Sequence, residues 1–240
     1  MKINILTLFP EMFSSFVSES IIGRAIKNGL IEVNIIDIRD YAEGKHHQAD
    51  DIPFGGEGGM VMKPEPLFKA LENLNGKVIY TSPQGVTFNQ ELALKLKDEK
   101  ELTIIAGHYE GIDERVVENK VDLEVSIGDF VLTGGELPAM MMVDCISRFI
   151  PGVIKESSYI NDSFFNGLLD YPQYTRPREY DGLKVPDVLL SGNHAKIKEW
   201  RLKESLKRTY LRRPELLENR DFTKEEKKLM KEIISEHGRK

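Results

Sequence analysis

Residues 102–111 read Leu-Thr-Ile-Ile-Ala-Gly-His-Tyr-Glu-Gly, an unbroken apolar and β-branched run that passes directly into a glycine-bounded turn. A run of that length, with no polar alternation, predicts a strand covered on both faces, as in a parallel sheet. Similar punctuation occurs twice more. Lys77 to Thr81 is strand-like and precedes Ser82-Pro83-Gln84-Gly85, and Val121 to Ile127 is strand-like and leads toward Thr133-Gly134-Gly135.

Outward from this centre, strand and helix signals alternate. Ile3 to Phe9 reads as a strand ended by Pro10. Ser14 to Asn28 reads as one helix, with Phe13, Phe16, Val17, Ile21 and Ile22 roughly on one face and Gly29 stopping it. Ile31 to Ile38 is β-branched and strand-like, and residues 40–60, rich in Gly, Asp and His, read as a long loop. Helices are predicted over Leu67 to Leu74, from Asn89, over Asp113 to Asn119 and over Gly135 to Phe149. Strands with helices interleaved predict an α/β fold with a parallel sheet. Ligands of open α/β sheets bind beyond the carboxyl ends of the strands. Three glycine turns at such ends therefore predict one small-molecule pocket lined by backbone; the competing reading is that these glycines serve tight connections only.

The pocket is not a standard nucleotide site. No G-x-x-x-x-G-K-[ST] run occurs, no G-x-G-x-x-G follows the first strand, and the Gly55-Gly56-Glu57-Gly58-Gly59 loop fails that spacing at Val61. None of the three turns contains lysine, so the expected ligand is organic and not strongly anionic. His46, His47, Asp50 and Asp51 lack the spacing of a metal-binding helix, and no G-x-S-x-G elbow exists. Cys145, the single cysteine, sits in an apolar run with Met140, Met141 and Met142 and reads as a buried, inert thiol among core residues. The acid–base candidates are Glu110, Asp113, Asp129, Asp162 and Arg148. Asp113 begins a helix, whereas Asp162 lies in Asn161-Asp162-Ser163-Phe164-Phe165, where a helix cap is the competing reading.

Charge divides the 240 residues unequally. The total of 33 Lys/Arg against 39 Asp/Glu gives −6. Residues 191–240 hold 15 against 9, net +6, and residues 1–190 hold 18 against 30, net −12. Residues 196–213 alone carry eight Lys/Arg against Glu199 and Glu204, with Leu202, Leu206 and Tyr210 spaced by four, which predicts an amphipathic helix that meets phosphate. Pro151, Pro172, Pro177 and Gly167 give residues 151–180 the character of a linker. No stretch approaches the roughly 18 apolar residues of a membrane span, and no signal peptide precedes the first strand, so the expected location is cytoplasmic.

These same residues carry a family likeness. Leu8-Phe9-Pro10-Glu11-Met12-Phe13, Ser82 to Gly85, Gly107 to Arg115, Ser126 to Leu132, Gly134 to Ala139, Ser147 to Gly152 and Leu190 to His194 resemble bacterial tRNA (guanine-N1)-methyltransferases of the TrmD type, over about residues 3 to 220. The resemblance implies a parallel sheet with a deep C-terminal trefoil knot, followed by a small helical domain. The implied boundaries are 1–160 for the knotted domain that binds S-adenosylmethionine, 161–178 for an interdomain linker that orders with tRNA, and 179–240 for a basic tRNA-binding domain. The cofactor would lie against Tyr80, Pro83, Gly85, Gly107, Glu110, Ile127, Gly128, Asp129, Phe130, Val131, Leu132, Gly134, Gly135 and Pro138. Asp50, Gly59, Asn193, His194, Arg201 and Arg208 would meet tRNA. The implied reaction is methylation of N1 of the guanosine just 3′ of the anticodon, with Asp162 as base and Arg148 stabilising charge on O6. An ordinary aspartate, with pKa about 3.9, needs that help against the N1 proton. A magnesium ion near Glu110 and a homodimer whose pocket is completed by the partner's linker are implied in the same way. His108 stands where many relatives have Arg, Phe130 where many have Tyr, and Glu57 in a loop usually uncharged. Two other readings remain: a knotted methyltransferase for another RNA position, and a non-catalytic RNA-binding protein of the same fold.

Overall fold

The computed structural model describes Met1–Gly238 except Glu57, so the Glu57 departure lies outside the described residues. The chain divides into two compact units, the first from Met1 to Glu156 and the second from Ser157 onward.

In the first unit the chain runs β1 (Lys2–Thr7), α1 (Ser14–Ser18), α2 (Ser20–Lys27), β2 (Glu32–Asp37), β3 (Asp50–Asp51), β4 (Val61–Met62) and α3 (Pro64–Leu71). It continues with β5 (Lys77–Thr87), α4 (Gln90–Leu96), β6 (Glu101–Ile105), α5 (Glu114–Lys120), β7 (Leu123–Ser126) and α6 (Glu136–Ser147). Five strands form one sheet in the order β2-β1-β6-β5-β7, and every neighbouring pair is parallel. The expected α/β class with a parallel sheet is what the chain adopts. Burial explains why. Ile3, Ile5 and Leu6 of β1 and Leu102, Ile104 and Ile105 of β6 are all at 0% exposure, covered on both faces as unalternating runs require. The buried polar positions in the middle of this pair, Asn4 and Thr103, face each other across it, and Asn4 donates to Glu101 at 2.8 Å and to Thr103 at 3.4 Å and accepts from Asn34 at 3.1 Å. Side-chain caps set two helix starts, with Asn89 accepting from the Leu92 amide and Asp113 from the Arg115 amide.

Three local expectations change. The predicted Ser14–Asn28 helix breaks at Glu19, whose backbone is extended (φ −110°, ψ 166°). The apolar spacing runs through the break, but Gly23 lets the end of α1 press on α2: a Cβ there would collide with the Ser18 carbonyl. Ser82 to Gly85 is not a strand-ending turn. Thr81 and Val86 both pair with Val125 of β7, so β5 loops out and returns to the same partner. The 40–60 region is not entirely loop, because β3 and β4 pair antiparallel. This hairpin leans on the turn after β6, with the Met62 amide donating to the Gly111 carbonyl and the Glu110 amide to the Met60 carbonyl, both at 3.0 Å.

The second unit begins within the one-turn helix α7 (Glu156–Tyr159). It contains the antiparallel pair β8 (Glu179–Tyr180) and β9 (Leu183–Lys184), then α8 (Asp187–Leu190), α9 (His194–Arg212) and α10 (Lys224–His237). Asp181 and Gly182, both at positive φ, close the β8–β9 hairpin. Leu168, Leu206, Leu229 and Ile233 form the core. Residues 161–178, expected as a linker, hold no helix or strand, yet they are tied into this unit. Leu168 is 2% exposed, the Leu169 amide donates to Thr209 Oγ1 at 2.9 Å, and Arg220 donates to the Asn166 carbonyl at 2.6 Å.

α10 starts in a reciprocal capping box between Thr223 and Glu226, and Arg220 also donates to Glu226 at 2.6 Å. Burial pushes the Glu226 carboxyl up, but the Arg220 guanidinium and the Thr223 amide outweigh it and hold the group below its usual range. Its contribution to stability is thus present above about pH 4.5 and lost as pH falls through the folded value. Glu226→Gln should destabilise the second unit by about 1.5–3 kcal/mol at pH 7, with the difference from wild type shrinking below pH 4. Denaturant titration followed by the fluorescence of Trp200, the single tryptophan, measures this in the unit concerned.

Candidate functional site

In the sheet order β6, β5 and β7 are neighbours, so their carboxyl ends lie side by side. The turns beyond β6 and β7 and the loop within β5 meet in one pocket of about 210 Å³, lined by Tyr80 to Pro83, Gly107 to Gly111, Val125 to Gly128, Phe130 to Gly135 and Pro138. Residues 130–135 are laced to the turn after β6 by the Gly135 amide, which donates to the Gly107 carbonyl at 2.6 Å and sets His108 antiparallel to Gly134. The contact tolerates no side chain. A Cβ on Gly135 would strike Thr81 Oγ1 and sit 2.8 Å from the Gly107 nitrogen, and one on Gly107 would sit 2.7 Å from the Tyr80 ring. Ser126 and Gly128 bond reciprocally, Oγ to carbonyl at 3.1 Å and amide to Oγ at 3.2 Å, which fixes the turn as the chain leaves β7. Gly128 itself is at φ +145°.

The lining contains no lysine or arginine. Burial pushes the Tyr80 phenol up, so it is a neutral wall at any physiological pH. Glu110 lies on the lining, and Glu136 stands behind it at 2% exposure. Glu136 accepts from Thr7 Oγ1 at 3.0 Å, and its other oxygen is 3.5 Å from the buried Nδ1 of His108. His108 is packed between Phe9 and Tyr109, with ring centroids 4.6 and 4.9 Å away. Phe130, Val131 and Leu132 are exposed at the rim. The pocket therefore offers backbone donors and acceptors, apolar walls and negative charge, which suits an organic, polar, cationic ligand and not a polyphosphate.

Of the residues expected to meet a cofactor, Tyr80, Pro83, Gly107, Glu110, Ile127, Gly128, Phe130, Val131, Leu132, Gly134, Gly135 and Pro138 line this pocket. Gly85 and Asp129 do not. Gly85 serves the return of β5, since a Cβ there would meet the Glu124–Val125 backbone. Thr81, Ser82, His108, Tyr109, Gly111, Val125, Ser126 and Thr133 also line the pocket, and all but Val125 adjoin a residue of the expected set. The buried Glu136 was also missed; a carboxylate opening an otherwise apolar helix was its only signal. Asp50 lies in β3, and Gly59, at φ +102°, leaves room for the Glu110 side chain, which a Cβ would strike. Arg148 caps α6 in the first unit, and Asp162 belongs to the second, where its amide donates to the Tyr159 carbonyl at 3.1 Å. Cys145 is partly exposed, with its thiol pushed up by burial, which keeps it protonated.

The basic series on α9 divides by pairing. Asn193 caps the helix by accepting from the Lys196 amide, and His194 is its first residue. Lys203 binds Glu236 and Glu232 at 3.0 and 3.1 Å, Lys207 binds Glu204 at 2.6 Å, and Arg213 binds Glu215. Among the described residues Lys196, Lys198, Arg201, Arg208 and Arg212 form no ion pair and remain available for an anionic partner. Among the described residues, too, no group of three or more His, Cys, Asp or Glu could hold a metal, and no helix is long and apolar enough to cross a membrane.

Known proteins share this chain's sequence over nearly its whole length. The family model described as tRNA (Guanine-1)-methyltransferase TrmD matches residues 1–219. A tRNA (guanine-N(1)-)-methyltransferase of Fusobacterium nucleatum is 75% identical over 98% of this chain and 99% of its own length. Proteins of the same name from Ruminiclostridium cellulolyticum and Bacillus subtilis are 56% and 52% identical, over 90% and 97% of this chain and 96% and 98% of theirs. With a match that runs from β1 through the pocket and across α9, the chain belongs to the tRNA (guanine-1)-methyltransferase TrmD family.

Proposed function

We propose that this enzyme transfers a methyl group to N1 of the guanosine 3′ of the anticodon, position 37 of tRNA, and that the β5–β7 pocket holds S-adenosylmethionine. Family membership makes the chain a tRNA (guanine-N1)-methyltransferase; the observation that carries the assignment of this pocket is its cation-free, backbone-lined wall. The residues present fit such a cofactor. Gly107, Gly134 and Gly135 permit the close backbone contacts that shape the pocket, and the carboxylates of Glu110 and Glu136 suit a positive sulfonium. S-adenosylmethionine supplies an activated methyl group and carries no phosphate, in accord with the absence of lysine. Magnesium finds no cluster of donors among the described residues, and no step here runs through it.

N1 of neutral guanine bears a proton, which must leave as the new bond forms. Asp162 is assigned as the base that takes it, and Arg148 as the cation that stabilises charge building on O6. The first unit holds the cofactor, and the second, with its unpaired cations on α9, holds RNA. The tie of Gly134 and Gly135 to the turn after β6 supports a trefoil-knotted chain. Leu137 and Met141, one turn apart on α6 and each 52% exposed, support a homodimer, in which the partner completes the pocket. A cytoplasmic location follows from the substrate.

Three results test this. Methyl transfer to tRNA transcripts should occur with guanosine at position 37 and fail with adenosine; label on both, or on neither, overturns the reading. Asp162→Ala should lower turnover by roughly 10²–10⁴ with cofactor affinity retained in calorimetry, whereas an equal loss of affinity removes Asp162 from the role of base. Gly135→Ala should abolish cofactor binding, since its methyl enters the contact with Thr81 and Gly107; binding at wild-type affinity would refute the placement of the pocket.

A further inference from the structure

The second unit contains a hollow of its own, of about 500 Å³. Its walls are the 171–178 segment, the foot of the β8–β9 hairpin where the Val185 amide donates to the Arg178 carbonyl at 3.0 Å, α8 and the first turns of α9. Its composition is the reverse of the first pocket. No carboxylate lines it, and three arginines do: Arg176, Arg178 and Arg201. None of the three forms an ion pair among the described residues, although Lys184 nearby is paired with Glu179. Aromatic faces accompany these cations. Trp200 and Tyr174 stand with ring centroids 6.4 Å apart at 50°, and the Arg201 guanidinium lies 4.8 Å over the Tyr171 ring.

Arg201 is partnered by the Tyr171 ring, whereas no carboxylate lines the hollow to pair with Arg176 and Arg178. A fold that needed only a packed surface would carry a carboxylate here, as it does beside Lys203, Lys207 and Arg213. Flat aromatic and aliphatic surface beside guanidiniums is the chemistry that receives an unstacked base together with its phosphates. We infer that this hollow binds one single-stranded nucleotide of the RNA substrate, its base against Trp200 and Tyr174 and its phosphates on Arg176 and Arg178. The inference rests on the tRNA reading above and adds a nucleotide subsite to it, separate from the pocket where the methyl group is transferred. It predicts that the enzyme grips unpaired nucleotides of its RNA and not paired stem alone.

Trp200 makes the subsite observable, because it is the single tryptophan of the chain. Intrinsic fluorescence of the full-length enzyme should change saturably with an anticodon stem-loop RNA. A fully paired stem of equal charge and inorganic polyphosphate should leave it nearly unchanged, and guanosine monophosphate should act only at far higher concentration. Arg176→Gln/Arg178→Gln, at two exposed positions that leave packing intact, should raise the stem-loop dissociation constant roughly 5- to 100-fold; Trp200→Leu should act similarly through lost stacking. An equal response to polyphosphate, or stem-loop binding by filter assay with silent tryptophan and unaffected arginine variants, overturns the subsite. The outcomes separate the two readings. Methyl transfer with silent Trp200 removes the subsite and leaves the function, whereas a stem-loop-specific response without methyl transfer to any transcript keeps the subsite and removes the function.

Discussion

The hydrogen bond from the Gly135 amide to the Gly107 carbonyl joins the segments that leave two strands of the sheet, and the site depends on it. Its 2.6 Å span is possible because neither residue has a side chain: the space a Cβ would need on Gly135 is already filled by Thr81 and by the Ala106–Gly107 backbone. Thr81 in turn donates to the Ile105 carbonyl at 3.1 Å, so the ends of β5 and β6 and the start of α6 converge on a few atoms. The parallel register makes this convergence available, because it stacks three carboxyl ends along one edge. A mixed sheet would have sent one of those turns to the opposite side.

The fold was legible where burial is two-sided. β1 and β6 are apolar without alternation because both faces are covered; a solvent-facing side would have placed a polar residue at every second position. The continuation of β5 was not legible, since Pro83 and Gly85 look like a stop. What overrides them is tertiary: Val86 returns to the partner that Thr81 already uses, and Gly85 permits the approach. The break at Glu19 was hidden for a related reason, as the apolar spacing runs through it and only the contact between Gly23 and Ser18 shows why it exists.

The candidate site was legible in its glycines and less so in its charges. Strand-end turns with glycine pointed to the right edge of the sheet, and the absence of lysine gave the character of the ligand. Asp129 looked like a site residue but does not line the pocket, whereas Glu136 was inconspicuous but carries buried negative charge beside it. A count of cations on α9 could not separate Lys203, which ties α9 to Glu232 and Glu236 of α10, from the unpaired Arg201 and Arg208. Spacing along α9 encodes the i,i+3 pair of Lys207 with Glu204, but not a partner carried by another helix.

Asp162 belongs to the second unit, where neighbouring backbone fastens it: Phe165 donates to its carbonyl, Ser163 accepts from Asp170, and Phe164 donates to Leu168. On the proposed assignment, the proton acceptor is carried by the part of the chain that handles RNA and not by the part that holds the methyl donor. Methyl transfer to N1 then draws on both units of one chain, one for the activated methyl group and one for the proton that must leave, so neither unit alone carries the complete reaction.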